Sequence, residues 1–490
     1  MLRTKEQYIE ALGKMKRNIY FNGEKISRDD EIQMDCINTI GTTYDEAQNP
    51  DPKVQALMLA KSHLTGETIN RFNHIHQSAD DLHKKQDMTR YLCRIVGGCI
   101  QRCMGIDATN AIYNVSYEAD KQNKGATEYH ENFKKWLIRF QQEDMVGCCA
   151  QTDVKGDRMK RPSEQADPDL YVHVKERKSD GIVVSGCKLH ISEASVADEI
   201  LVVPTRSLRP DDKDYAVAFA VPGDWDGVKQ VVTVHNLRPR EHFPRGFVPG
   251  ATDSYVIFDD CFVPWERVFL CGEHLHGGVL ALLFALFHRH SYSGCKPAIG
   301  DVLLGTAALA AEYNGIEKAG HVREKLAEII LTTELGYAAG YTASDQGKPE
   351  VYMPGVGFVP YGPGSYIPNS IYANVGRCLT GEAVYREQEI LCDISGGVAA
   401  TFPHEKDWVN PETKDLLEKY VMRNPKVSPE KAAQFWRYLG DVLCSATGGI
   451  MNVGNYHGGG SPVMEQIAIT TQYDIEDRKK LVKYLAGIED

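Results

Sequence analysis

In the run FHRHSYSGCK, residues 287–296, His288, Tyr292 and Cys295 stand four and then three residues apart, which on an α-helix draws one stripe along about two turns. Far upstream, in GGCIQRCMG at residues 97–105, Cys99 and Cys103 are four apart, and a helix would set them on a shared face. Three thiols and one imidazole from two helices can hold either a tetrahedral zinc ion or an iron–sulfur cluster with one nitrogen ligand. Two cysteines at this spacing are by themselves more often core packing, so the pair gains meaning from the second stripe. Ile106 occupies the place where the three-cysteine loop of radical SAM enzymes has its last cysteine, which excludes that reading. Zinc fits less well than iron–sulfur, because structural zinc sites draw ligands from short loops and these come from distant helices.

Other chemistries lack their signatures. No GxGxxG follows a strand and no GxxxxGK[ST] occurs, so neither a Rossmann nor a P-loop phosphate site is expected. HGGGS at 457–461 is similar to an esterase oxyanion loop, but without a GxSxG it reads as a turn between helices. TDVKGDR at 152–158 has a hydroxyl and a glycine turn that could meet a planar ring, though alone it is an ordinary charged turn. DISGG at 393–397 reads as a helix C-cap.

The elements that must position these residues fall into three stretches. From Thr4 to Asp144, apolar residues recur at three- and four-residue steps, which predicts an all-α N-terminal domain over 1–145. From Val146 to Arg267, short β-branched runs such as DGIVVSGCKLHIS and VKQVVTVHNL predict an antiparallel barrel or sandwich, with boundaries near 146–271. The helical period then returns and predicts a C-terminal bundle over 272–490, interrupted by the Gly-, Pro- and aromatic-rich segment 347–369, which reads as a functional or mobile loop. The chain of 490 residues, 42% hydrophobic, is long enough for two or three domains around a large core. A net charge of −12 argues against nucleic acid or an anionic membrane as partner. The longest apolar run, GGVLALLFALF at 277–287, is too short to span a bilayer. Thirteen cysteines at irregular spacings, with no signal-like leader, point to a reducing cytoplasm rather than a disulfide framework.

The helical, β, helical order with TDVKGDR at the first junction resembles the acyl-CoA dehydrogenase-like flavoproteins, an α+β class, and more closely their 4-hydroxyphenylacetate 3-hydroxylase branch. Within it, CIQRC followed by HRHSYSGCK resembles the 4-hydroxybutyryl-CoA dehydratase family. The resemblance implies FAD and a [4Fe-4S] cluster held by Cys99, Cys103, His288 and Cys295. It implies a radical lyase on a hydroxyacyl-CoA, with associated double-bond isomerisation, in an oxygen-sensitive homotetramer. Carried over residue by residue, the catalytic set is His288, Tyr292, Lys296, Asp253 and Gln101. The flavin set is Thr152, Asp153, Lys155, Gly156, Asp157, His190, Ser192, Lys296, Gly396 and Gly397, with Ser192 in place of the family threonine. Two departures stand out: Asp253 replaces a glutamate, and Gly454 replaces another. They imply a changed substrate or another carboxylate. The competing expectations are a flavin monooxygenase of the same fold with inert cysteines, and a zinc-stapled helical scaffold.

Overall fold

The computed structural model describes residues 2–235, 240–243, 250–353, 355–421 and 423–488. Everything that bears on the site is built around one helix of 40 residues, His274–Tyr313, about 60 Å long at 1.5 Å per residue. It has no polar face. Apolar and small residues surround it, and it packs against the helices Ala79–Val96, Cys103–Gln122, Gly320–Asp345 and Ser370–Ser395. Over 286–300 it is buried on all sides, and such a stretch must satisfy every polar group internally. Pro297 lies inside it and cannot donate to the Ser293 carbonyl. That carbonyl instead accepts from Gln86 Nε2 at 3.1 Å, and Lys85 Nζ donates to the Phe287 carbonyl at 2.9 Å. Gly294 permits the approach: a Cβ there would fall 2.3 Å from the Gln86 carbonyl oxygen.

The middle stretch forms two sheets. In order across the six-stranded sheet lie Glu24–Ile26, Ile19–Phe21, Val228–Val234, Thr252–Pro264, Gly181–Ser192 and His173–Arg177. The four-stranded sheet runs Val268–Cys271, Val217–Pro222, Glu199–Val202, Gly147–Ala150. Most neighbours are antiparallel, as expected, but each sheet contains one parallel pair, and the described strands close no barrel. The register between Gly181–Ser192 and Thr252–Pro264 sets Ser192 opposite Asp253.

The N-terminal stretch is not all helix. Ile19–Phe21 and Glu24–Ile26 form a hairpin on Asn22 and Gly23, both at positive φ, and its first strand pairs parallel with Val228–Val234. The dipeptide Asn-Gly favours such a two-residue turn, and the helical periodicity on either side obscured it. Segment 347–369 likewise holds a hairpin, Glu350–Met353 with Gly357–Pro360; residue 354 lies outside the described residues. The largest apolar core runs through all three stretches, from Tyr8 through Val184 to Phe287 and Ala373. A second core fills the C-terminal bundle around Trp436. Among the described residues, no helix is long and apolar enough to cross a membrane.

Candidate metal centre

Cys99 and Cys103 do not share a helix. The Ala79–Val96 helix ends on Gly97 at φ +69°, Gln101 turns left-handed at φ +61°, and the next helix begins only at Cys103. The Gly97-Gly98 pair lets the chain leave the first helix, so Cys99 sits in a loop ahead of a helix N-terminus, where unpaired N–H groups favour negative sulfur. The two sulfurs still meet. Hydrogen bonds from the Cys103 and Cys295 thiols hold the Cys99 thiol well below the ordinary range, with the Lys296 ammonium adding to the effect. Cys103 is pushed up by the bond it gives to Cys99 and by burial. Cys295 rises through its contacts with Cys93 and Cys99 and through burial. Cys93, on the Ala79–Val96 helix, is thus a fourth thiol in the group that spacing did not single out.

His288 completes the set. A ring nitrogen of His288, the Cys103 sulfur and a carboxylate oxygen of Asp107 lie within 4.8 Å of one another. Nδ1 of His288 is 2.9 Å from Asp107 Oδ2. Asp107 is fully buried and also accepts from Lys85 Nζ at 2.6 Å and Ser291 Oγ at 2.9 Å. Burial alone would raise this carboxyl, but Lys85 and His288 outweigh it and hold the group below its ordinary value. A charged carboxylate at Nδ1 makes that nitrogen the donor and leaves Nε2 as a lone-pair ligand, the arrangement that orients metal-binding histidines elsewhere. Asp107 lies one helical turn beyond Cys103 on the same helix, a signal present in the sequence and not used.

Tyr292 and Lys296 continue the stripe. The Tyr292 ring meets His288 edge-on at 4.8 Å and lies between two cations, Lys296 Nζ at 4.4 Å and the Arg377 guanidinium at 4.6 Å from its centroid. Burial raises the Tyr292 phenol well above its ordinary value, with Arg377 opposing. Lys296 donates to Asn455 Oδ1, and burial lowers its ammonium against the pull of Cys295 and Cys99. HGGGS is no slack turn: an added Cβ at Gly458 would fall 1.9 Å from Tyr292 Oη, at Gly459 2.6 Å from Arg377 Nε, and at Gly460 2.9 Å from Arg289 Nη2. The fully buried Glu465 balances both arginines, 3.6 Å from Arg377 Nε and 3.9 Å from Arg289 Nε. Glu387, on the helix that carries Arg377, faces Lys296, and burial pushes its carboxyl up to about 7. A cleft of about 170 Å³ beside the 347–369 hairpin has Arg289 and Asn374 in its wall.

The expected flavin contacts are less concentrated. Ser192 Oγ donates to Asp253 Oδ1 at 2.6 Å, so two anticipated residues meet across the sheet, with His235 Nε2 3.7 Å from the same carboxylate. Asp153 is buried and already engaged, accepting from Val172 N at 2.9 Å and paired with Lys188 Nζ at 2.9 Å; its local role is to close the 152–157 loop. Thr152 offers its carbonyl to Leu189 N at 2.7 Å. Lys155 and Gly156 both adopt positive φ, as does His190, and Asp157 caps Met159 N. Gln101 turns inward and accepts from Cys36 Sγ at 3.2 Å. Gly396 and Gly397 end the Ser370–Ser395 helix in open space, and no hydrogen bond among the described residues joins them to the 152–157 loop.

Residues 4–270 match the N-terminal region of the 4-hydroxyphenylacetate 3-hydroxylase family, and residues 278–487 match its C-terminal region. The chain is 37% identical, over all of both chains, to a 4-hydroxybutyryl-CoA dehydratase/vinylacetyl-CoA-Δ-isomerase of Clostridium aminobutyricum. An oxygen-tolerant archaeal 4-hydroxybutyryl-CoA dehydratase from N. maritimus has the same fold, with a TM-score of 0.91 and 34% identity, covering 100% of this chain and 96% of the other. The oxygenase component of 4-hydroxyphenylacetate 3-monooxygenase, solved with FAD, superposes with a TM-score of 0.83 at 25% identity over 99% of this chain and 98% of that one.

Proposed function

The chain belongs to the 4-hydroxyphenylacetate 3-hydroxylase family, in its 4-hydroxybutyryl-CoA dehydratase branch, and from that premise we propose that it is an FAD-dependent dehydratase with an iron–sulfur centre. Its substrate is 4-hydroxybutyryl-CoA or a related hydroxyacyl-CoA thioester, and it carries the associated double-bond isomerase activity. The observation that carries this reading is the contact of Cys99 with both Cys103 and Cys295, with an imidazole that Asp107 fixes by Nδ1 beside Cys103. That donor set fits a [4Fe-4S] cluster: three thiols with one drawn toward thiolate, and one nitrogen free to bind iron. A monooxygenase with inert cysteines would have no need of a buried Lys85–Asp107–His288 chain.

When bound, flavin and cluster supply reversible one-electron chemistry and a Lewis-acidic iron, which a side chain alone cannot provide for an unactivated C–H bond. The net reaction loses water, a proton from carbon and a hydroxyl from C4, with no net oxidation. His288, anchored on Asp107 through Nδ1, stands beside Cys103 and would offer Nε2 to iron. Tyr292 keeps its proton and lies one turn from His288, placed to hand that proton to a departing hydroxyl. Lys296 retains N–H groups beyond its bond to Asn455 that can hold a thioester carbonyl oxygen. Ser192 and the 152–157 loop would hold the flavin from the sheet side, with the catalytic candidate Asp253 bonded to Ser192. A homotetramer in the cytoplasm completes the reading, and the exposed Leu481, Val482, Tyr484 and Leu485 on the Ile475–Ala486 helix supply apolar surface for such an assembly.

Nothing lies within 4 Å of a Cβ added at Gly454, so the missing glutamate leaves room beside Asn455 for a bulkier acyl group. Polar groups discriminate substrates more strongly than apolar room does, so we infer that 4-hydroxybutyryl-CoA itself is turned over more slowly than by the glutamate-bearing relatives. Anaerobic purification followed by iron, sulfide and flavin quantification tests the cofactor reading, and zinc without iron rejects it. Dehydration of 4-hydroxybutyryl-CoA by wild type and by Gly454→Glu tests the substrate: a gain in the variant supports a lost carboxylate, and no gain favours a pocket rebuilt for another acyl chain.

A further inference from the structure

On the long helix His274–Tyr313, Leu282, Leu286 and Arg289 stand at i, i+4 and i+7 and form one stripe. At 3.6 residues per turn it lies roughly 130° around the axis from the stripe of Phe284, His288, Tyr292 and Cys295. Against the first stripe opens the cleft of about 170 Å³, walled by Val351, Phe358 and Ile367 of segment 347–369 and by Ser370 and Asn374 of the Ser370–Ser395 helix. Arg289, in the same wall, is 7% exposed. Its Nε donates to the Gly459 carbonyl at 2.9 Å and its Nη1 to Asn374 Oδ1 at 2.7 Å, while Nη2 donates to nothing among the described residues. Gly460 leaves that nitrogen uncovered, since a Cβ there would fall 2.9 Å from it. The carboxylate beside the guanidinium, Glu465, is shared: it lies 3.9 Å from Arg289 Nε and 3.6 Å from Arg377 Nε, too far to hydrogen-bond either. Two guanidiniums therefore face one buried carboxylate. Lys348 and Glu350, both in the cleft wall, carry opposite charges and do not restore the balance. The Ser370–Ser395 helix begins at the cleft, but Asn369 Oδ1 already accepts from the Ile371 and Tyr372 N–H groups at 3.0 and 3.3 Å, so the open donor is the arginine's. A buried cation short of a partner, in the wall of a mostly apolar cleft, is the arrangement that orients a small anion with a hydrocarbon body.

We propose that this cleft is a second ligand site, for a short-chain monocarboxylate: a carboxylate oxygen accepts from Arg289 Nη2, and the hydrocarbon chain lies against Leu282, Leu283, Leu286 and Val351. Size sets the chain length. An apolar cavity of about 150 Å³ is filled by benzene, so the cleft has room for about six non-hydrogen atoms, the size of butyrate. The apolar wall disfavours inorganic phosphate, whose further oxygens would be buried against leucine and valine without a donor. An uncharged alcohol of the same length would leave the guanidinium unmatched. No cleft residue belongs to the set Cys99, Cys103, His288 and Cys295, so the proposal stands apart from the iron–sulfur reading.

The test is a calorimetric titration of the full-length protein, as purified anaerobically, with sodium butyrate. Saturable binding of one butyrate per chain is expected, with 1-butanol and inorganic phosphate each bound at least ~10-fold more weakly. Arg289→Gln removes the open donor and Leu282→Trp fills the cleft from a half-buried position, and each is expected to weaken butyrate binding at least ~10-fold. Because Arg289 also balances Glu465, its variant can fail to fold, and Leu282→Trp then decides alone. Absence of saturable butyrate binding to the wild type overturns the proposal. Butyrate binding that survives Leu282→Trp places the ligand elsewhere, such as the proposed catalytic centre, and overturns it too. Phosphate bound as tightly as butyrate rejects the monocarboxylate class. Iron and flavin contents measured on the same samples report on the proposed function separately, so either reading can fail while the other stands.

Discussion

The thiol site and the surface proposed to hold flavin answer to different physics. Around His288 a continuous chain of polar groups is buried and mutually engaged: Lys85 with Asp107, Asp107 with His288 and Ser291, Tyr292 against Lys296 and Arg377. Along the flavin side, Ser192 and Asp253 hold each other in a half-buried pair, Asp153 is locked into its own loop, and Gly396 stands in open space. In the first region one helix packed on all sides fixes the geometry before anything binds. In the second, strands and turns leave donors spaced along a surface. The contrast teaches that the buried centre is brittle to single substitutions and the open surface is tolerant.

The largest effect that would expose the contrast is Cys103→Ala. Removing one thiolate from a closed ligand set is expected to abolish iron binding and reduce activity at least ~1,000-fold while flavin content stays near wild type. Iron retained at full stoichiometry would break the assignment. Next comes Asp107→Asn, which leaves Lys85 as a buried charge without its counter-ion, both side chains being at most 1% exposed. A loss of about 3–5 kcal/mol in denaturant unfolding is expected, and weaker iron retention by roughly 10–100-fold in chelator competition. Wild-type stability in this variant would show that the chain of ion pairs does not hold the imidazole.

A smaller effect comes from Glu387. Its carboxyl is raised from 4.5 to about 7 by burial, against the attraction of Lys296. A folded-state value above the unfolded one means that the folded protein binds the extra proton between these limits. The contribution is present in full below about pH 4.5 and is lost as pH rises through about 7, roughly 3 kcal/mol in all. Glu387→Gln should flatten this part of the stability-against-pH profile, and an unchanged slope would remove Glu387 from the site. The smallest effect is expected at the open surface. Ser192→Ala removes one hydroxyl from a half-buried pair, so flavin affinity should fall only about 10-fold with iron content unchanged, as read by fluorescence titration. Loss of iron here would erase the distinction between the two regions.

How much of this was legible in the sequence depends on whether the signal was local. The stripe His288, Tyr292, Cys295 and Lys296 was readable because a long apolar helix keeps its period, and that period survives in the 40-residue helix. The two CxxxC sulfurs do meet, but not on a helix face, because spacing cannot reveal that Gln101 takes a left-handed turn. Short elements escaped: the hairpin on Asn22-Gly23 lies between helices, and its parallel partner is supplied by Val228–Val234. Asp107 carried a local signal, its place one turn after Cys103, whereas Cys93 and Glu465 were invisible as site residues, since nothing local distinguishes a core acid or thiol from one that balances a charge across helices.

By itself, then, the sequence determined the residue types able to ligate metal, the alternation of helical and β texture, and the glycines at 458–460. These follow from covalent identity and short-range period, which neighbouring residues fix. Only the tertiary structure decided that Cys99 leaves the helix, that Asp107 holds His288, that Tyr292 needs Gly458 to be glycine, and that Glu193 is buried with no side-chain hydrogen bond among the described residues. Those outcomes depend on where distant elements meet in a dry interior, where an unpaired polar group costs several times what it would in water and each partner must come from another part of the chain.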